Sequence, residues 1–111
     1  MEIYFRTKKL QRICCEAKEM RKLYGVKCSE KLQQRLMELR VADALSDMSH
    51  LPPMRCHELA GNRAGQFSVD LEQPLRLLFI PINDPIPMQD DGGIDRQKVT
   101  EIEIFEIADT H

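Results

Sequence analysis

Two adjacent prolines, Pro52 and Pro53, divide this chain into halves that obey different rules. Neither fits inside a helix, because proline lacks the amide hydrogen and its ring clashes with the preceding turn. Before them, apolar residues recur at spacings of three and four, which marks one face of a helix. After them, apolar residues recur at every second position, the alternation of a strand. The order that results is one strand, two helices and then four strands. That order predicts an α+β domain with a helical hairpin covering one face of a mostly antiparallel sheet of about four to five strands.

In the first half, Glu2 to Arg6 reads as a short strand with Ile3 and Phe5 on one face. Thr7 is a natural N-cap for the first helix. From Lys8 to Tyr24 the stripe is Leu10, Ile13, Cys14, Ala17, Met20 and Tyr24, and Lys8, Lys9, Arg12, Lys18, Arg21 and Lys22 make the rest basic. Gly25 ends this helix by taking a left-handed backbone conformation. A second helix begins near Ser29 with the stripe Leu32, Leu36 and Leu39, leaving Gln33, Gln34, Arg35, Glu38 and Arg40 outside. The short gap between the two helices predicts an antiparallel pair.

In the second half, Arg55 to Leu59 and Gln66 to Leu71 flank Gly61-Asn62-Arg63-Ala64-Gly65, a β-hairpin with glycines for its tight loop. Phe67, Val69 and Leu71 share one face. Leu75 to Ile80 is a strongly apolar strand whose single charge, Arg76, belongs at its open end or on a solvated sheet face, since an unpaired charge is rarely buried. Three prolines and the pair Gly92-Gly93 make residues 81–98 a loop. Its Asp84, Asp90, Asp91 and Asp95 lack the alternating ligands and closing Glu of a calcium loop, so no metal is expected there. Val99 to Ala108 is the last strand.

The 111 residues amount to a single domain, 1–111, long enough to bury a core. No apolar run reaches membrane-spanning length, and the first residues lack the features of a signal peptide, so a cytoplasmic location is expected. The four cysteines form no Cys-x-x-Cys pair and signal neither a disulfide framework nor a zinc site. Cys56 beside His57 is a poor nucleophile–base pair, because neighbours in a strand point to opposite faces. The net charge of −2 conceals an asymmetry. Residues 1–64 carry thirteen Lys and Arg against eight Asp and Glu, and residues 65–111 carry three against ten. A basic first half suits a polyanion, whereas the overall acidity opposes strong non-specific nucleic-acid binding.

The hairpin sets a cation, Arg63, close to a group that titrates near neutral pH, His57, a pairing suited to phosphate chemistry. The run His57-Glu58-Leu59-Ala60-Gly61-Asn62-Arg63-Ala64-Gly65-Gln66-Phe67-Ser68, then Leu75-Arg76-Leu77-Leu78-Phe79, then Asp109-Thr110-His111, resembles the HigB branch of the RelE/ParE toxin superfamily. The resemblance implies a RelE-like fold and a toxin of a type II toxin–antitoxin module. Such a toxin enters the ribosomal A site and cleaves mRNA without metal or cofactor, by attack of a ribose 2′-OH on the adjacent phosphate. The partners it implies are the 70S ribosome, mRNA and a helix-turn-helix antitoxin of the HigA kind. Operator DNA would be met only through that antitoxin, and no membrane is involved.

By the same resemblance, His57 and His111 are the candidate base and acid, and Asp109 orients or polarises one of them. Arg76 holds the phosphoryl group through a bidentate contact, while Arg55, Arg63 and Gln66 hold the RNA backbone. The chain departs from the family pattern at Ala60, where the family has Lys, and at Thr110, where it has Tyr. The first change removes a cation and the second an aromatic able to stack on a base. The 81–98 loop is an insertion. These departures leave open a catalytically weak or inactive protein of the same fold, acting through its antitoxin by co-repression or by suppressing a related toxin. A gyrase inhibitor of the ParE type is a further alternative, against which the terminal Asp-x-His argues.

Overall fold

Pairing of the first strand with the last sets the architecture. In a computed structural model, which describes residues 1–109, β1 (Glu2–Phe5) runs parallel to the last strand, with Ile3 opposite Ile102 and Phe5 opposite Ile104. Between them come α1 (Lys8–Cys15), α2 (Ala17–Val41), β2 (His57–Glu58), β3 (Phe67–Asp70) and β4 (Leu75–Pro81), and β5 (Glu101–Asp109) closes the order. The sheet reads β1-β5-β4-β3-β2, and its other three pairings are antiparallel. This is the α+β arrangement that the RelE resemblance implies: an N-terminal strand, two helices and a five-stranded mixed sheet. No described helix is long and apolar enough to cross a membrane.

The Thr7 hydroxyl accepts the Leu10 amide at 3.0 Å, so the cap forms where expected. The helix after it is not continuous to Tyr24. It breaks at Glu16, whose backbone is extended (φ −118, ψ 106). The break resets the apolar register. Ala17, on the expected stripe, is exposed, whereas Met20 is buried. Gly25 interrupts α2 with the positive φ anticipated from the sequence, 80, but its ψ of 175 is extended rather than left-handed helical. A β-carbon there would touch nothing, so backbone conformation rather than space demands the glycine. Cys14, Cys15 and Met20 border the same surface depression as Gln33, Leu36 and Arg40, so the helical chain doubles back at this point.

Leu32, Leu36 and Leu39 are buried as the stripe predicts. Arg35, expected outside, is buried with them at 2% exposure. Its Nε donates to the Asp70 carbonyl at 2.8 Å, Nη1 to Glu38 Oε1 at 2.7 Å and Nη2 to the Pro53 carbonyl at 3.2 Å. A rigid guanidinium fork thereby satisfies the buried Asp70 carbonyl of β3 and ties the irregular segment at Pro53 to it. The Met1 ammonium donates to the carbonyls of Leu39, Arg40 and Ala42, which the end of α2 leaves without helical partners.

The core joins this helical stripe to alternate residues of the sheet, among them Val69, Leu77, Ile102 and Ile104, with Phe67 and Phe79 stacked at 5.9 Å. β2 is shorter than the expected 55–59 strand, because Arg55 has φ 49 and so lies outside the extended region. The hairpin loop is a 3₁₀ turn over Gly61–Arg63, with positive φ at Gly61 and Gly65. Between Leu78 and Phe79 the β4–β5 register slips, so that Leu78 faces Glu106, Phe79 faces Ile104 and Phe105 is the extra residue. The loop after β4 is irregular as anticipated. It is tied down by a Met88–Ile94 bridge, a 3₁₀ turn over Arg96–Lys98 and a bond from the Leu45 amide to the carbonyl of buried Val99.

Replacing Arg35 with Leu keeps the apolar stem but strands the buried Asp70 carbonyl and removes the bonds to Glu38 and Pro53. It is expected to lower stability by about 2–4 kcal/mol in urea unfolding. Burial also pushes the Cys56 thiol up to about 11 and the Cys14 thiol to about 12. Above their ordinary value of 9.0 the unfolded chain releases protons that the folded chain keeps. Their contribution to stability is therefore complete below pH 9 and is lost as the pH rises toward these values. Each thiol adds a slope of at most about 1.4 kcal/mol per pH unit. Urea midpoints measured from pH 7 to 10 should fall, and fall less in Cys56→Ala.

Candidate functional site

The helices cover the sheet face that carries Phe67, Val69 and Leu77. Alternation sends the intervening side chains to the opposite face, and the strand register arranges them in rows. One row runs His57, Ser68, Leu78, Glu106, and the next runs Asp70, Arg76, Ala108. The alternating pattern predicted a wetter face here, yet Ser68 and Leu78 are fully buried and Asp70 nearly so. The Ser68 hydroxyl has no hydrogen-bond partner among the described residues.

Asp70 is the junction of this face. Its carboxylate, 7% exposed, lies 3.4 Å from Arg76 Nε and 3.6 Å from Arg55 Nε. The contact at Oδ1 is not a well-aligned hydrogen bond, so the attraction there is chiefly ionic. Arg76 does sit on the sheet face away from the helices. It is not solvated as expected: its side chain is 13% exposed and lies against Asp70. The same pairing explains how a charge is tolerated inside an apolar strand.

His57 stands on the edge strand, partly exposed, with Nδ1 3.0 Å from the Arg55 carbonyl. A carbonyl only accepts, so Nδ1 carries the proton and Nε2 is the basic nitrogen of the neutral ring. Arg63 donates from Nε to Gln66 Oε1 at 2.9 Å and lies 3.7 Å from Glu106 through Nη2. Glu58 Oε2 accepts the Gly65 amide at 2.9 Å and pins the hairpin turn. Further along the sheet, Arg6 pairs with Glu103 at 2.6 Å and lies over the Phe105 ring. Cys56 is buried and its thiol is raised, which keeps it protonated at neutral pH.

The fold brings some of the candidate residues together and separates others. Arg55 and Arg76 meet at Asp70, and Arg63 meets Gln66. Asp109 ends β5 opposite Leu75. His57 lies three strand intervals from β5, about 14 Å between Cα atoms, so His57 and Asp109 are not neighbours. His111 lies outside the described residues. Sequence reasoning missed Asp70, Glu106 and Arg35. Asp70 had a readable signal, an acidic residue placed symmetrically with Arg76 about the Glu72-Gln73-Pro74 turn. Glu106 and Arg35 had none, because both depend on tertiary register. Among the described residues, no group of three or more His, Cys, Asp and Glu is placed to hold a metal ion. No protein-family model matches the chain, and no curated protein is similar enough to match it.

Chemically, the arrangement is a pair of guanidinium groups at one carboxylate, with further arginine–carboxylate pairs along the same face and a partly exposed imidazole on the edge strand. It suits an anionic ligand that replaces those carboxylates as the arginines' partner. Asp70→Asn removes the charge between two arginines and is expected to cost about 2–4 kcal/mol. In a double-mutant cycle with Arg76→Gln the combined loss should be smaller than the sum of the single losses. Additive losses would mean that the two side chains do not interact.

Proposed function

We propose that this protein is a toxin of a type II toxin–antitoxin module, a ribosome-dependent mRNA endonuclease of the HigB-like branch of the RelE/ParE superfamily. One observation carries the reading beyond the sequence resemblance. On the sheet face free of helices, Arg55 and Arg76 converge on one carboxylate with His57 in the adjoining row. In the reaction, the ribose 2′-oxygen forms a bond to phosphorus and the bond to the 5′-oxygen breaks, leaving a cyclic phosphate. The 2′-OH proton goes to a base and the departing 5′-oxygen takes a proton from an acid. His57, through Nε2, and His111 are the candidates for these roles. Arg76 and Arg55 neutralise the phosphoryl oxygens, and Arg63 with Gln66 holds the neighbouring backbone. Asp109 acts on His111 rather than on His57, given the separation across the sheet. The protein works in the cytoplasm under the control of a helix-turn-helix antitoxin.

A second reading is favoured by a different observation. Arg76, Arg55, Arg63 and Arg6 each lie against a carboxylate of this chain. RNA must displace those carboxylates, which weakens binding and fits a catalytically silent protein acting through its antitoxin.

Induced expression in a bacterium, with mRNA ends mapped, separates the two. Growth arrest and new ends for wild type, lost in Arg76→Lys and His111→Ala, is the expected result. Arg76→Lys should cost about 10²–10³-fold in cleavage, since Lys cannot make the bidentate contact. Full toxicity of both variants would refute this mechanism. A soluble, harmless wild type would favour the silent protein. Glu106→Gln should tighten RNA binding about two- to fivefold in fluorescence anisotropy by releasing Arg63.

A further inference from the structure

We infer that a second copy of this chain docks the elbow around Gly25 into the groove beside the end of α2. The groove, about 470 Å³, has Met37 and Val41 as one wall and Met48 and Met54 beneath. Met37 and Val41 are one turn apart on a single helix face and are 63% and 76% exposed. They take no part in the stripe that holds α2 to the sheet. Three of these four side chains are methionine, whose unbranched thioether adapts to the shape of an incoming apolar group.

Charge selects the occupant. Glu38 and Asp47 border the groove, and Glu2, Asp43 and Glu101 border the depression that adjoins it at Val41 and Ala42, where Arg40 and the Met1 ammonium are the cations. Glu38 is offset by Arg35, and Asp47 is fixed by the amides of Asp43 and Ala44. The rim draws Glu2, Glu38, Asp43 and Asp47 from the half of the sequence that is basic overall and Glu101 from the acidic half. The complement is on the same molecule. At the elbow, Leu23 and Val26 are 53% and 61% exposed. They stand among Arg21, Lys22 and Lys27, also exposed, where Gly25 turns the chain. An apolar knob in a net basic stretch, with Lys and Arg outnumbering Glu19 and Glu30, thus matches an apolar groove rimmed by carboxylates.

Val26 and Val41 are separated by 15 positions along α2, about 20 Å of helix, so the elbow of one copy cannot fill its own groove. The contact is heterologous: it grows into chains unless two copies make it reciprocally. It lies on the helical side and is independent of the RNA reading.

Sedimentation velocity across a concentration series tests it. The wild-type mass should rise above the 12.9 kDa of the monomer at low salt and fall back as salt is added. Val41→Asp, which spoils the groove, and Val26→Asp, which spoils the elbow, should each reduce self-association at least about tenfold. Both positions are exposed, and unchanged circular dichroism would establish that both variants fold. Mixed together, the variants should pair again, because one supplies an intact elbow and the other an intact groove. A wild type that stays monomeric throughout, a variant that still associates, or a mixture that fails to pair would overturn the proposal. The first of these would leave the groove to a different protein.

Discussion

The carboxylate of Asp70, held between Arg76 and Arg55, is the contact on which the rest of the structure turns. The backbone of the same residue is equally committed. Its amide donates to the Met54 carbonyl, and its carbonyl accepts from Arg35. One position therefore ties together α2, the irregular segment after Pro53, and strands β3 and β4. A buried ion pair seldom adds much net stability, because desolvation offsets the attraction. Its effect lies in geometry. With Asp70 removed, two guanidinium groups would lose the carboxylate they share.

The same logic runs across the sheet. Part of the acidic second half of the chain is committed to specific pairs. Glu103 and Glu106 on β5 come forward on the face away from the helices and meet Arg6 and Arg63. These outer pairs are exposed and individually weak, whereas the pair at Asp70 is nearly dry. A polyanion approaching this face would meet a graded series of competitors, easily displaced at the rim and hard to displace at the centre. On the nuclease reading, binding energy must first open the Asp70 junction. On the silent reading, the junction stays closed. The two readings therefore differ in the fate of a single ion pair, not in the fold.

Much of the fold was legible because local chemistry dictated it. Pro52 and Pro53 mark the end of the helical half, Thr7 caps α1, Gly25 takes a positive φ, and Gly61 and Gly65 shape the hairpin loop. What escaped was set by contacts distant in sequence. The corner at Glu16 carries no breaker residue, and only the demand that Leu10 and Met20 both reach the core reveals it. Arg35 looked like a surface cation because its partners, the carbonyls of Asp70 and Pro53, lie far along the chain. The parallel pairing of β1 with β5 has no local signature either. At the site, Arg55, Arg63, Arg76 and His57 were visible by residue type. Of the carboxylates that hold three of them, Asp70 was signalled only by its placement opposite Arg76 about a turn, and Glu106 not at all, since it meets Arg63 only after β5 has paired with β4.

Distances within the sheet also bear on the class of ligand. His57 and Arg76 lie in adjacent rows two strands apart, and Asp109 lies on a third strand beyond them. Neighbouring strands are about 4.8 Å apart, so these groups span more than one small anion can bridge at once. A ligand reaching from Arg76 to His57 must be extended, as a polynucleotide is. A compact phosphate ester would engage the arginines near Asp70 and leave the imidazole idle. On the nuclease reading, the spread of these groups over three strands therefore suits an extended polymer better than a small metabolite, and positioning that polymer is what the arginines would do.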